Sequence, residues 1–234
     1  MGNRQLFMDL PAVTAEEMRK IDQDATQEWG IKAENLMESA GRKLTVRMLG
    51  KRLAEPGGKA LIFCGHGNNG GDGLVIARYL KAAGVGNKVF IFPPKGPPGY
   101  GRLVELNLER AMACGVPVIT LDSGLTPAIA AMQEADLIID ALLGTGTRGE
   151  PEDAMSMLIN AINESGKTVV SVDIPSGMNP DTGIPPGACI HATTTFMLGL
   201  PKTGLLVPEA ARFTGELDVL NIGFPPELIA ALPV

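Results

Sequence analysis

The stretch Gly65-His66-Gly67-Asn68-Asn69-Gly70-Gly71-Asp72-Gly73 sets two amides and a carboxylate among closely spaced glycines. Amide and carboxylate oxygens suit a hard cation, and amide N–H groups suit a polar ligand. Asn, Gly and Asp also favour turns, so a plain turn is the competing reading. Two further carboxylates end short apolar runs: Asp140 closes DLIID and Asp173 closes TVVSVD. An Asp at a strand end can equally cap the next helix. Three acids converging with two amides would be a site rather than three separate caps.

The glycines carry a second kind of chemistry. Gly65, Gly67 and Gly70 have the spacing of a dinucleotide fingerprint, and Gly144, Gly146 and Gly149 repeat it. Backbone N–H groups freed by glycine and aimed by a helix N-terminus make an anion site. The fingerprint also requires an acid about 20 residues on, at the end of the second strand, for the ribose. That place reads Phe90-Ile91-Phe92-Pro93-Pro94-Lys95, without an acid. A hydride-transferring dehydrogenase is therefore disfavoured, and no P-loop pattern occurs.

The elements that must position these residues alternate. Thr14 to Glu17 has the form of a capping box and predicts a helix to about residue 30. Leu36, Ala40, Leu44 and Met48 recur at helical spacing and predict a second helix over residues 33–54. From there strands at 60–64, 88–92, 117–121, 136–140 and 168–173 alternate with helices at 74–83, 102–114, 126–134 and 152–164. Strand-like stretches follow at 190–198 and 216–222. This pattern predicts an α/β fold, a Rossmann-like three-layer sandwich with a mostly parallel sheet and helices on both faces. The whole of 1–234 is expected as one domain, with helices at about 14–54 packed on an α/β core at about 59–223. Loops after Cys64, Asp140 and Val172 should share one crevice beyond the strand ends.

Composition removes other classes. Apolar residues are 45% of the 234, which is enough for a packed core. Aromatics are 4% and the net charge is −6, so neither a stacking platform nor a basic surface for nucleic acid or membrane is written in. No apolar run approaches the ~20 residues of a membrane helix, and the opening MGNRQLFMDLPAVTAEEM lacks the apolar centre of a signal peptide. Cys64, Cys114 and Cys189 are too scattered for a disulfide framework, and with only two histidines a structural zinc site is not expected. A reducing compartment, the cytoplasm, is the expected location.

GHGNNGGDGLVIAR, DLIIDALLGTGTRGEP, VVSVDIPSGMNPDTG and TTFMLGLPKTGLL together resemble the NAD(P)H-hydrate epimerases. Met18-Arg19-x-x-Asp22 and Asn35-Leu36-Met37-Glu38-Ser39-Ala40-Gly41 are similar to that family's opening helices, and the likeness runs from about residue 13 to Gly223. The resemblance implies an isomerase of metabolite repair. Water adds to C6 of reduced nicotinamide, giving R and S hydrates (NADHX and NADPHX) that such enzymes interconvert for an ATP- or ADP-dependent dehydratase, expected here on a separate chain. It implies substrate contacts from Asn68, Asn69, Gly70, Gly71 and Asp72, from Gly144, Thr145, Gly146, Thr147, Arg148, Gly149 and Glu150, and from Asp173. It implies a potassium ion at Asn69, Asp140 and Ser176. Asp173 matches a catalytic Asp and Lys202 a lysine near it, so Asp173 is the expected acid/base with Lys202 setting its charge or orienting water. His66 stands where relatives carry a small residue or proline. Lys95 and Arg148 are candidates for meeting a 2′-phosphate. A homodimer is expected, with the N-terminal helices on its face. The alternative from another class is a non-catalytic nucleotide-binding or scaffold module on the same fold.

Overall fold

The computed structural model describes residues 10–94, 96–97, 99–122 and 124–230. The first nine residues of the opening segment, expected not to be a signal peptide, and Lys95, with the role offered for it, lie outside the described residues. Two helices come first, α1 (Ala15–Gln27) and α2 (Ala33–Gly50). Thr14 caps α1 as its spacing predicts: Glu17 N–H donates to Thr14 Oγ1 at 3.2 Å and Thr14 N–H donates to Glu17 Oε2 at 2.7 Å.

The alternation then unfolds as β1 (Lys59–Cys64), α3 (Asn68–Ala82), β2 (Gly86–Ile91), α4 (Arg102–Ala113), β3 (Val118–Thr120) and α5 (Thr126–Met132). It continues with β4 (Leu137–Ala141), α6 (Asp153–Glu164), β5 (Thr168–Val172), β6 (Thr194–Leu198), α7 (Ala211–Thr214), β7 (Glu216–Leu220) and α8 (Pro226–Ala230). The strands form one seven-stranded sheet in the order β3-β2-β1-β4-β5-β6-β7, with every neighbouring pair parallel. The α/β class and the parallel sheet are those that the alternation predicts.

Strand periodicity divides the core between the two faces. On β1, Ile62 and Cys64 join the cluster that takes Leu36 and Leu44 from α2 and Leu74 and Leu80 from α3. Leu61 and Phe63 point the other way, into a cluster with Ala128 of α5 and Leu158 and Ile159 of α6. Strand order reverses between β1 and β4, which places a ligand crevice at their carboxyl ends.

One boundary differs in a way that bears on function. The helix expected from Leu74 begins at Asn68, so Asn68 to Gly73 lie on α3 rather than in a loop. Glycine propensity loses here to close packing. A Cβ on Gly73 would lie 2.7 Å from Cys64 Sγ and 2.8 Å from the Ala141 Cβ, and one on Gly70 2.0 Å from the Gly65 carbonyl oxygen. Elsewhere, the second helix stops at Gly50, and the stretch from Ile190 forms a strand only over Thr194–Leu198. The short turns at Thr203–Leu206 and Pro208–Ala210, with α7 and α8, have no periodic signature in the sequence. Among the described residues no helix is long and apolar enough to cross a membrane.

Candidate functional site

A cavity of about 530 Å³ opens at the carboxyl ends of β1, β4 and β5 and is walled on one side by α1 and α2. Of the residues singled out in the sequence, Asn68, Asn69, Asp72, Gly144, Thr145, Gly146, Thr147, Arg148, Asp173 and Lys202 line it. Asp140 and Ser176 are fully buried and do not line the cavity. Gly70 and Gly71 face inward instead, Gly70 against Gly65 and Gly71 against Met37 of α2. The Glu150 side chain lies against Gly187, and neither Gly149 nor Glu150 is on the cavity wall.

The floor is organised around Asp140. Its Oδ2 accepts from Ser171 Oγ at 2.8 Å and from Ser176 N–H at 2.9 Å; its Oδ1 accepts from Ser176 Oγ and from Leu142 N–H at 3.2 Å. Burial pushes the Asp140 carboxyl upward, against the pull of those hydrogen bonds. Ser176 Oγ in turn accepts from Leu143 N–H at 2.8 Å, and Asn69 Nδ2 donates to the Leu143 carbonyl at 3.0 Å. Asn69, Asp140 and Ser176 therefore meet around one loop. Asn69 Oδ1 is buried without a hydrogen-bond partner among the described residues.

Asp173 and Lys202 form the second centre. Asp173 leaves β5 with φ at +67°, one of two described non-glycine residues in the left-handed region, which Asp tolerates better than most side chains. Its N–H donates to the Phe196 carbonyl at 2.8 Å, and its Oδ1 accepts from Leu198 N–H at 3.0 Å and from Lys202 Nζ. Lys202 has no solvent exposure, and its Nζ also donates to the Leu198 carbonyl at 2.6 Å. Asp72, on the first turns of α3, is buried beside this pair. Burial raises its carboxyl well above the usual range, the charges of Asp173 and Asp22 add to that, and Lys202 opposes them.

Asp22 is the cavity acid to which the sequence reading gave no role. It comes from α1, outside the α/β alternation, so strand-end reasoning does not reach it. The available signal is its spacing: Ala15, Met18 and Asp22 share one helical face, and all three line the cavity. His66 is also on the wall. The backbone at the α3 N-terminus completes the rim. Gly67 is the N-cap and supplies no side chain to satisfy the first N–H groups. Arg148 donates to the carbonyls of Thr145 at 2.8 Å and Thr147 at 3.1 Å, bracing the facing loop.

Residues 33–204 match the family described as YjeF-related protein N-terminus. An NAD(P)H-hydrate epimerase of Elusimicrobium minutum is 40% identical over 94% of this chain and 99% of its own length. A bifunctional NAD(P)H-hydrate repair enzyme of Moorella thermoacetica is 41% identical over 93% of this chain, which spans only 41% of that relative. The crystal structure of yeast YNL200c superposes with a TM-score of 0.78 at 24% identity, over 94% of this chain and 92% of that one, a match of fold. The chain belongs to the family of YjeF-related protein N-terminus domains.

Proposed function

We propose that the protein is an isomerase that interconverts the R and S forms of NAD(P)H hydrate at C6 of the reduced nicotinamide ring. The observation that carries this reading is the buried Lys202 ammonium paired with Asp173 on the wall of a cavity whose rim is an uncapped helix N-terminus. The names of relatives that match almost end to end support it over a non-catalytic binding module.

The C6 hydroxyl sits beside the ring nitrogen. Expelling it with the nitrogen lone pair leaves a planar, iminium-like carbon, and water returning on the other face inverts the centre. Asp173, with Lys202 at its Oδ1, takes the proton from that water. The pyrophosphate would sit on the N–H groups of the α3 N-terminus, within reach of residues 144–148. No redox change or nucleotide hydrolysis is needed for this step.

The donor set fits a hard monovalent cation, because Asn69 Oδ1 is a buried oxygen with no donor among the described residues and amide, hydroxyl and carboxylate oxygens suit such an ion. Asn69 and Ser176 would hold potassium with Asp140 supplying the negative charge. When bound, it would add fixed positive charge beneath the loop that faces the substrate. We place the enzyme in the cytoplasm as a homodimer upstream of a dehydratase; the unpaired thiols of Cys64, Cys114 and Cys189 and the exposed Trp29 and Val46 support this setting.

The test is conversion of purified R hydrate of NADH to the S form, followed by chromatography. The wild type is expected to speed it well above the spontaneous rate, and Asp173→Asn to lose about 10²–10⁴-fold in kcat. A wild type that leaves the R hydrate at its spontaneous rate rules the reading out.

A further inference from the structure

Inversion at a planar carbon sets a geometric problem. The hydroxyl leaves from one face of the ring and water arrives on the other, so a carboxylate fixed on one side serves only one of the two proton transfers. Asp173 is fixed: the turn at φ +67° and both of its side-chain hydrogen bonds hold it through Oδ1. Asp140 is committed to four donors beneath the cavity. Asp22 is different. Like Asp72 it lines the cavity with no hydrogen bond to its carboxyl among the described residues, but it is exposed where Asp72 is buried, and it comes from a helix outside the sheet layers.

Its helix is anchored at its start. The Val13 N–H donates to the Pro201 carbonyl at 2.9 Å and the Thr203 N–H to the Val13 carbonyl at 3.0 Å, so the residue two before α1 pairs directly with the backbone around Lys202. The first helical N–H, that of Ala15, donates to Asp181 Oδ1 at 2.7 Å. Met18, one turn before Asp22, shares its face and lines the same cavity.

We infer that Asp22 is a second catalytic residue, the acid that protonates the departing C6 hydroxyl while Asp173 serves the opposite face. This rests on the epimerase reading. In the forward step the Asp22 carboxyl gives its proton to the hydroxyl, the C6–O bond breaks with its electron pair on the leaving water, and the nitrogen lone pair forms the C=N bond. Water then attacks C6 from the other side, its proton goes to Asp173, and the C=N pair returns to nitrogen. A proton passed back from Asp173 to Asp22 resets the pair, and the reverse reaction exchanges their roles.

Electrostatics support the assignment. Burial raises the Asp22 carboxyl to about 6, the Asp173 charge adds to the shift and Lys202 opposes it. The residue as a whole is exposed while its carboxyl lies among protein atoms at the cavity wall; a ring filling the cavity displaces the remaining water and pushes in the same direction. The other ionisable groups on the same cavity wall are Arg19 on its own helix, His66 after β1, Asp72 on α3, Arg148 after β4, Asp173 after β5 and Lys202 after β6. The neighbouring α8 carries Glu227.

The experiment measures kcat and KM for both hydrate epimers against pH, from about pH 5 to about pH 8, in wild type, Asp22→Asn and Asp22→Glu. Asp22→Asn is expected to lower kcat by about 10²–10⁴-fold with KM nearly unchanged, and Asp22→Glu to recover part of the loss. In the wild type kcat falls as rising pH removes the Asp22 proton, and this alkaline limb is absent in Asp22→Asn. An Asp22→Asn enzyme with wild-type kcat, or a slower one that keeps the limb, overturns the inference. If neither variant folds, the wild-type profile decides: a limb supports the acid, and a flat kcat up to about pH 8 overturns it. An inactive wild type would instead sink the epimerase reading itself.

Discussion

Asp173 occupies a backbone conformation that most side chains avoid, and its Oδ1 accepts from the Leu198 N–H and from a lysine with no access to water. Removing the carboxylate entirely would leave that ammonium facing a single carbonyl, a loss of about 3–5 kcal/mol for a broken buried pair. Asp173→Asn is the cleaner probe because it keeps an acceptor and tolerates the same φ. Asp72 gives a separate readout. Its carboxyl is raised in the folded state, so the folded protein holds a proton that the unfolded chain releases near 3.8. Stability from this group is present at low pH and is lost as pH climbs above that value. Asp72→Asn should therefore match the wild type in acid and exceed it in Tm toward neutral pH. Thermal melts at matched pH values check this; equal melting points at every pH would refute the buried charge. Asp140 and Asp173 were legible as strand-end acids because apolar runs announce them. Asp22 was not, because a helix outside the alternation carries it and only the folded chain shows which crevice that helix closes.

At the scale of elements, α3 does two jobs with the same residues. Its glycines let it lie against β1 and α2: a Cβ at Gly41 of α2 would lie 2.5 Å from Val75, the mirror of the Gly71 contact with Met37. Its uncapped start leaves N–H groups open to an anion. The sequence reading took Asn68 to Gly73 as a loop because local preference favours a turn there. The helix forms because close approach to neighbouring backbone outweighs that preference, which a single sequence does not display. Gly67 separates the two jobs. It has extended N-cap geometry, at φ −93°, and nothing lies within 4 Å of an added Cβ. Gly67→Ser should fit, cap the helix and stabilise the fold by roughly 0.3 kcal/mol. Its hydroxyl would then occupy the N–H groups proposed above to hold the pyrophosphate. The expected result is a higher Tm with a several-fold higher KM and a nearly unchanged kcat. An unchanged KM in the stabilised variant would show that the pyrophosphate does not bind at this helix end.

Across the whole molecule, the sheet order brings the carboxyl ends of β1, β4 and β5 together, and the alternation in the sequence was sufficient to expect that crevice. It was not sufficient to say what closes the crevice. The residues that close it come from before the first strand, and a two-residue pairing of Val13 with the Lys202 segment is too short to leave a periodic signature. This pairing ties α1 to the segment that carries the buried Lys202. The sheet is built without it, from strands that pair only with one another. Val13→Pro tests the division, because proline removes the N–H that donates to the Pro201 carbonyl and cannot continue the pairing. The expected outcome is a protein with its sheet intact by circular dichroism and slow hydrogen exchange retained in β1 and β4. Exchange in α1 should become faster, and kcat should fall because Asp22 is no longer held on the wall. Unfolding of sheet and helix together would mean that α1 is an inseparable part of the core. Full activity with α1 still protected would mean that the Val13 pairing does not position the site. Fast exchange confined to α1 with a matching loss of turnover is the result that makes this helix the movable wall of the reaction centre.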